Sequence, residues 1–148
     1  MHALSAIGRF EGLEHHFGLR VYFEDTDLTG VVYHANYLRY LERARSDMLL
    51  AVGVDQRATF ESGEGAYALR NVRLEFRAPA RFGEELIVIS RLVSMRAAAV
   101  TIQQRVMRVQ TIVATGEVEA AFVSPAGRPR RQPAQWVAAF EPLLWKGN

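Results

Sequence analysis

The sequence predicts an α+β domain in which a five-stranded antiparallel sheet carries one long helix. A single amphipathic stripe runs from Tyr37 to Val52, one strand-like segment precedes it, and four follow it. The turns between those four are short. Short connections require antiparallel neighbours, because a parallel crossover needs a dozen residues or more. The 148 residues suit one domain with a core of its own.

In chain order, residues 1–16 read as a leader with little pattern, 17–140 as the domain, and 141–148 as a tail. FGLRVYFE (17–24) alternates, with Phe17, Leu19, Val21 and Phe23 on one side, and reads as a strand. Residues 25–36 form a polar loop. Tyr37, Leu41, Ala44, Met48 and Val52 then recur at steps of three and four, the spacing of a helix face. Asn36 is placed to cap that helix, and Gly53 to stop it. Residues 54–64 read as a loop. Tyr67 and Leu69 alternate at odd positions, whereas Val72, Leu74 and Phe76 alternate at even ones. Such a change of phase inside one strand predicts a β-bulge near Arg70–Asn71.

APARFGEE (78–85) is a turn, and Leu86–Val93 is apolar on both phases, as a strand buried on two sides would be. Met95–Ala98 turn into a strand marked by Val100, Ile102, Gln104 and Val106. Ile112 to Phe122 form the last strand, after a turn at Val109–Thr111 that lacks Gly, Asn and Pro. Pro133 can open a short helix through Phe140. One helix of about 24 Å covers one face of such a sheet. The remaining edges and faces invite a second subunit.

Composition removes several function classes. The net charge of +2 does not argue for nucleic acid. Zero cysteines exclude a disulfide, a thiolate metal site and a Cys nucleophile. No apolar run approaches the 18 residues or more of a membrane helix. The N-terminal MHALSAIGRFEG holds no signal-peptide core, so the expected compartment is the cytoplasm. His15 and His16 are adjacent, which does not fit metal-ligand spacing on a helix, and no metal site is expected.

The chemistry concentrates in 24–45, EDTDLTGVVYHANYLRYLERAR. Carboxylates, a glycine, a histidine and a helix start lie within one short loop. A carboxylate can attack a carbonyl or activate water, and the unpaired N–H groups of a helix start can polarise an oxygen. Taken alone, Asp27 reads as a turn brace, the commonest role of a loop aspartate. Asp25 and Glu24 read as supporting groups. Gly30 lets the backbone pass a substrate closely or take a positive φ. Glu42 falls beside Arg39 and Arg45 at helix spacing and reads as an ion-pair partner. Arg96, Arg128, Arg130 and Arg131 are candidates for gripping phosphate.

RVYFEDTD, GVVYHANY and LERAR, supported by RLEFRAPARFGEEL (73–86), resemble the hot-dog-fold thioesterases of the 4-hydroxybenzoyl-CoA thioesterase superfamily. Within it they are most similar to the Tol–Pal-associated acyl-CoA thioesterases. The resemblance spans about 19–140. It implies a hot-dog domain, with the sheet wrapped around a central helix, and a homodimer or homotetramer with active sites at the subunit interface. It implies hydrolysis of an acyl-CoA, CoA being substrate rather than cofactor, with no other cofactor. It implies Asp27 as nucleophile or general base, the backbone at Val32–His34 as the oxygen-binding element, and His34 as a further catalytic group. Gly30, Val31, Val32 and Tyr33 are the substrate-binding candidates beside that loop, with Arg96 for the CoA phosphates. Tyr37 is a further candidate for the acyl pocket. Two other readings stay open: a hydroxyacyl thioester dehydratase using His34 with Glu42, and a non-catalytic scaffold for acyl carrier protein.

Overall fold

A computed structural model describes residues 6–147. Its sheet has six strands: β1 (Arg9–Glu11), β2 (Glu14–Arg20), β3 (Ala66–Phe76), β4 (Glu85–Met95), β5 (Ala99–Arg108) and β6 (Thr111–Val123). Their spatial order is β1-β2-β4-β5-β6-β3, and all neighbours run antiparallel. Helix α1 (Asn36–Ala51) is the long element, with two short helices, α2 (Gln56–Glu61) and α3 (Ala134–Phe140).

The α+β class and the antiparallel pairing are as the sequence predicts, but the count of five strands is corrected to six. The extra strand is β1, which forms a hairpin with β2 inside the stretch read as a leader. The first expected strand is displaced too. β2 ends at Arg20, and Phe23–Asp25 form a single 3₁₀ turn. The expected loop 54–64 contains α2, whose first turn is capped by Asp55 accepting from the Ala58 amide at 2.9 Å. The tail is also engaged: the Trp145 amide donates to the Leu92 carbonyl at 2.7 Å, and Arg91 lies 3.9 Å over the Trp145 ring.

The bulge falls between Leu69 and Asn71, as the phase change predicts. β4 is buried on both faces only in part. Leu86, Val88 and Leu92 are buried, yet Ile87 is 42% exposed.

α1 joins two apolar clusters. Tyr37, Tyr40, Leu41 and Ala44 pack with Val88, Val106 and Val113 near the helix start. Met48 and Leu49 pack with Leu92, Ile102, Phe122 and Phe140 near its end. The helix start is thereby held rigidly against the sheet, and with it the polar loop that leads in.

Candidate active site

The loop before α1 is built from backbone hydrogen bonds. The Asp27 amide donates to the Val31 carbonyl at 2.8 Å, and the Gly30 amide returns to the Asp27 carbonyl at 3.0 Å. Gly30 closes this turn with a φ of +83°, a left-handed conformation in which glycine carries no Cβ penalty. Val31 bridges Arg81 of the β3–β4 turn, and the Val32 amide donates to the Ala80 carbonyl at 2.8 Å. The loop is therefore stitched to the sheet on one side and to the helix on the other.

Asp25 is the brace. It is buried, and its Oδ2 accepts from the Tyr22 amide at 2.9 Å. Its carbonyl takes both the Tyr33 amide and the Asn36 Nδ2, each at 2.8 Å. Asn36 is consequently not the N-cap. It is the first helical residue, Ala35 holds the cap position without a side-chain bond, and the Asn36 amide group ties the helix back to Asp25. Burial, and then the neighbouring Asp25 carboxylate, push the Tyr40 hydroxyl well above its ordinary pKa.

Asp27 lies at the exposed tip. Its Oδ1 accepts from the Thr29 hydroxyl at 2.7 Å and from the Thr29 amide at 2.8 Å. Those two bonds hold the carboxyl below the usual carboxylate range, with smaller help from Val31 and His34 against a slight desolvation. Its Oδ2 has no hydrogen-bond partner among the described residues. One oxygen thus fixes the turn while the other is presented as an anion.

The amides that follow are not equivalent. Val32 and Tyr33 donate to Ala80 and Asp25, so those N–H groups are occupied, and the Val32 side chain is buried in the core. The His34 amide precedes the helix and has no acceptor among the described residues. The His34 ring lies 4.4 Å from the Tyr33 ring and 6.4 Å from Phe76, and Phe76 lies 5.5 Å from Tyr37. Carboxylate, free amide and aromatic wall meet at one end of α1. That set suits a polarised carbonyl attacked by an anion or by water it activates.

The sequence matches the Thioesterase-like superfamily over residues 21–140. The chain belongs to this superfamily. It is 37% identical to acyl-CoA thioester hydrolase YbgC of Escherichia coli O6:H1 over 83% of this chain and 92% of that one. It is 32% identical to acyl-CoA thioesterase YbgC of Haemophilus influenzae over 86% and 94%. A solved structure of a probable thioesterase from Bartonella henselae is similar with a TM-score of 0.74 and 32% identity, covering 81% of this chain and 98% of that one.

Several candidates of this superfamily member lie away from the loop. Arg96 occupies the β4–β5 turn, at the opposite end of β4 from the Asp27 loop, about 30 Å away by strand rise. It pairs there with Glu119. Arg130 donates to the Glu64 carbonyl at 2.6 Å and clamps the turn before β3. Arg45 donates to Gln104 at 3.0 Å, so the hydrogen-bonded partner of this arginine is not Glu42; burial lowers the Arg45 pKa, and the Glu42 charge opposes that shift only in part.

Phe76 is the residue that sequence reading missed. Alternation groups it with Val72 and Leu74 on one face of a strand, but it ends an edge strand, is 53% exposed, and forms the wall against His34 and Tyr37. Its position immediately before the conspicuous APARFGEE turn was the available signal.

Proposed function

We propose that this chain is an acyl-CoA thioesterase whose Asp27 carboxylate acts as nucleophile or general base. Water supplies the hydroxyl that ends on the acyl carbon, the C–S bond breaks, and the departing thiolate takes the proton. The products are a carboxylic acid and CoA. The observation that carries this reading is the asymmetric carboxylate: Asp27 Oδ1 is anchored by Thr29 while Oδ2 remains without a partner, one short turn from the unoccupied His34 amide. An amide donor aimed at the developing oxyanion contributes roughly 10²–10³ in rate at comparable sites. The names of the relatives support the substrate class. His34 positions substrate through its ring, and Gly30, Val31 and Tyr33 shape the approach. Arg96 reaches CoA only where subunits meet.

The assembly belongs to the same proposal. β3 ends the sheet, so its outer edge has no strand beside it among the described residues, while Leu69, Val72 and Phe76 are 54%, 41% and 53% exposed. A long apolar edge strand asks for a partner, and a homodimer, alone or doubled to a tetramer, supplies one.

The test is thiol release from a panel of acetyl, hexanoyl, palmitoyl and benzoyl CoA, with hydration of crotonyl-CoA followed in parallel. Hydrolysis without hydration is expected. Hydration without hydrolysis would instead favour the dehydratase reading that pairs His34 with Glu42. Capture of acyl carrier protein with no turnover on any thioester would favour the scaffold.

A further inference from the structure

The turn between β3 and β4 carries an arginine whose side chain the fold leaves unused. Other arginines at this end of the molecule are engaged. Arg20 pairs with Glu85, and Arg108 donates to the Pro79 carbonyl at 2.6 Å and to Glu84 at 3.1 Å. Arg81 is exposed, and its guanidinium has no acceptor among the described residues. Its backbone, by contrast, is held in place. The Arg81 amide donates to Glu84 Oε1 at 2.7 Å, and Arg81 forms an antiparallel bridge with Val31. The Glu84 charge is already matched by Arg108, so it does not cancel that of Arg81.

The bridges set Arg81 in a row with the catalytic candidate. Thr26 bridges Val32 and Val31 bridges Arg81, so three short extended segments lie side by side. The Asp27 amide donates to the Val31 carbonyl at 2.8 Å, which puts Asp27 opposite Val31. Side chains alternate between the two faces of such segments. Val32 and Ala80 are buried on the core side, so Asp27, Val31 and Arg81 stand together on the other. Neighbouring strands are about 4.8 Å apart, which sets the Arg81 Cα about 10 Å from the Asp27 Cα. The long arginine side chain extends that span. An unpaired cation thus ends a row that begins at the carboxylate, with half-buried Val31 between them.

We propose that Arg81 binds the phosphate that ends the pantetheine arm of CoA, from the same chain that supplies Asp27. This rests on the thioesterase reading above. With the thioester carbonyl between Asp27 and the His34 amide, the sulfur side of the substrate runs outward along this row. From the sulfur to the first phosphate the arm has about thirteen bonds, equal to about four residues of extended chain, or roughly 14 Å. That length matches the row plus the reach of the Arg81 side chain. The methylenes of the arm lie over Val31, and the guanidinium meets the phosphate through two parallel N–H···O bonds. Arg96, at the opposite end of β4, does not compete for this phosphate.

The experiment compares one acyl group, hexanoyl, on three carriers: CoA, phosphopantetheine and pantetheine, the last of which has no phosphate. Arg81→Ala is expected to raise KM at least fivefold for the first two, with kcat within twofold of wild type, and to leave both constants unchanged on the third. Arg81→Lys, which keeps the charge without the planar fork, is expected to recover part of the loss. Arg77→Ala, which removes an exposed arginine from the same turn, is expected to behave as wild type. Calorimetry with free CoA is expected to show the same loss of affinity in Arg81→Ala. A fall in kcat on hexanoyl pantetheine overturns the proposal, because it assigns Arg81 to holding Val31 and the loop. A KM change on hexanoyl-CoA but not on hexanoyl phosphopantetheine overturns it as well, by moving the contact to the nucleotide. An equal loss in Arg77→Ala reduces the effect to general charge and overturns the site. If wild type hydrolyses none of the three, the thioesterase reading falls. The calorimetry then decides Arg81 by itself: weaker CoA binding in Arg81→Ala supports the contact, and unchanged binding removes it.

Discussion

At Asp27, one carboxylate oxygen accepts both the hydroxyl and the amide of Thr29, and the other is open to a substrate or a water. The same two bonds that keep the turn in shape stabilise the charged form, because accepting hydrogen bonds favours a carboxylate over its acid. Activity should therefore persist at low pH until the carboxyl is protonated below its ordinary range. Thr29→Ala removes the hydroxyl bond, so the acid limb of kcat/KM is expected to move upward toward the ordinary carboxylate value of about 3.9. An unmoved acid limb in a folded variant would show that Thr29 does not set the protonation of the group being titrated. The Asp27–Gly30 turn before α1 was legible in the sequence because an acid beside a glycine and a helix start is an unusual concentration of turn and chemical signals. The distinction among Val32, Tyr33 and His34 was not legible, since their amides differ only in which carbonyls the folded sheet and Asp25 bring to them.

The elements hold that loop in place through contacts that no local pattern announces. The clearest is the attachment of the N-terminal hairpin to α1. Asp47, buried on the helix, accepts from the Ile7 amide at 2.7 Å and the Gly8 amide at 2.8 Å, and pairs with His15 Nε2 at 2.9 Å. His15 is fully buried, and its Nδ1 has no partner among the described residues. Burial depresses the pKa of His15, with partial opposition from Asp47. The unfolded chain, with a histidine pKa of about 6.5, therefore binds the proton first as pH falls. Stability is full above about pH 6.5 and declines as pH falls through the folded value. Urea midpoints measured between pH 7.5 and 5 are expected to show that decline in wild type and a shallower one in His15→Gln. Equal slopes would contradict it.

The β5–β6 turn offers a second test at this scale. Val109 has a φ of +54° and is 89% exposed. A β-branched residue there carries a steric cost of about 1–2 kcal/mol. Val109→Asn is expected to stabilise by about 1 kcal/mol in urea denaturation, and no gain would mean that the turn relaxes in solution. The sequence showed that this turn lacked Gly, Asn and Pro but not how the chain managed without them. Long elements were legible because their periodicity repeats: the stripe on α1 and the phase change in β3 each use several residues. β1 and α2, at three and six residues, are too short to show a period and are fixed by β2 pairing and the Asp55 cap.

For the whole molecule, the main consequence is that an edge strand and the candidate active site share a residue. Phe76 ends β3 and walls His34, so pairing along β3 would bring a second chain to the chemistry. Val72→Lys, near the middle of that edge, is expected to shift the sedimentation mass toward monomer and to lower hydrolysis at least tenfold while the circular dichroism is retained. A folded, fully active monomer would separate assembly from catalysis. The central claim, that Asp27 performs the hydrolysis, is tested most directly by steady-state turnover of Asp27→Asn on the acyl-CoA panel, with oligomer mass and melting curve measured on the same preparation. A loss of about 10²–10⁴ in kcat, in the range of general-base catalysis, with mass and fold intact, is the expected result. Wild-type turnover by that variant would contradict the account.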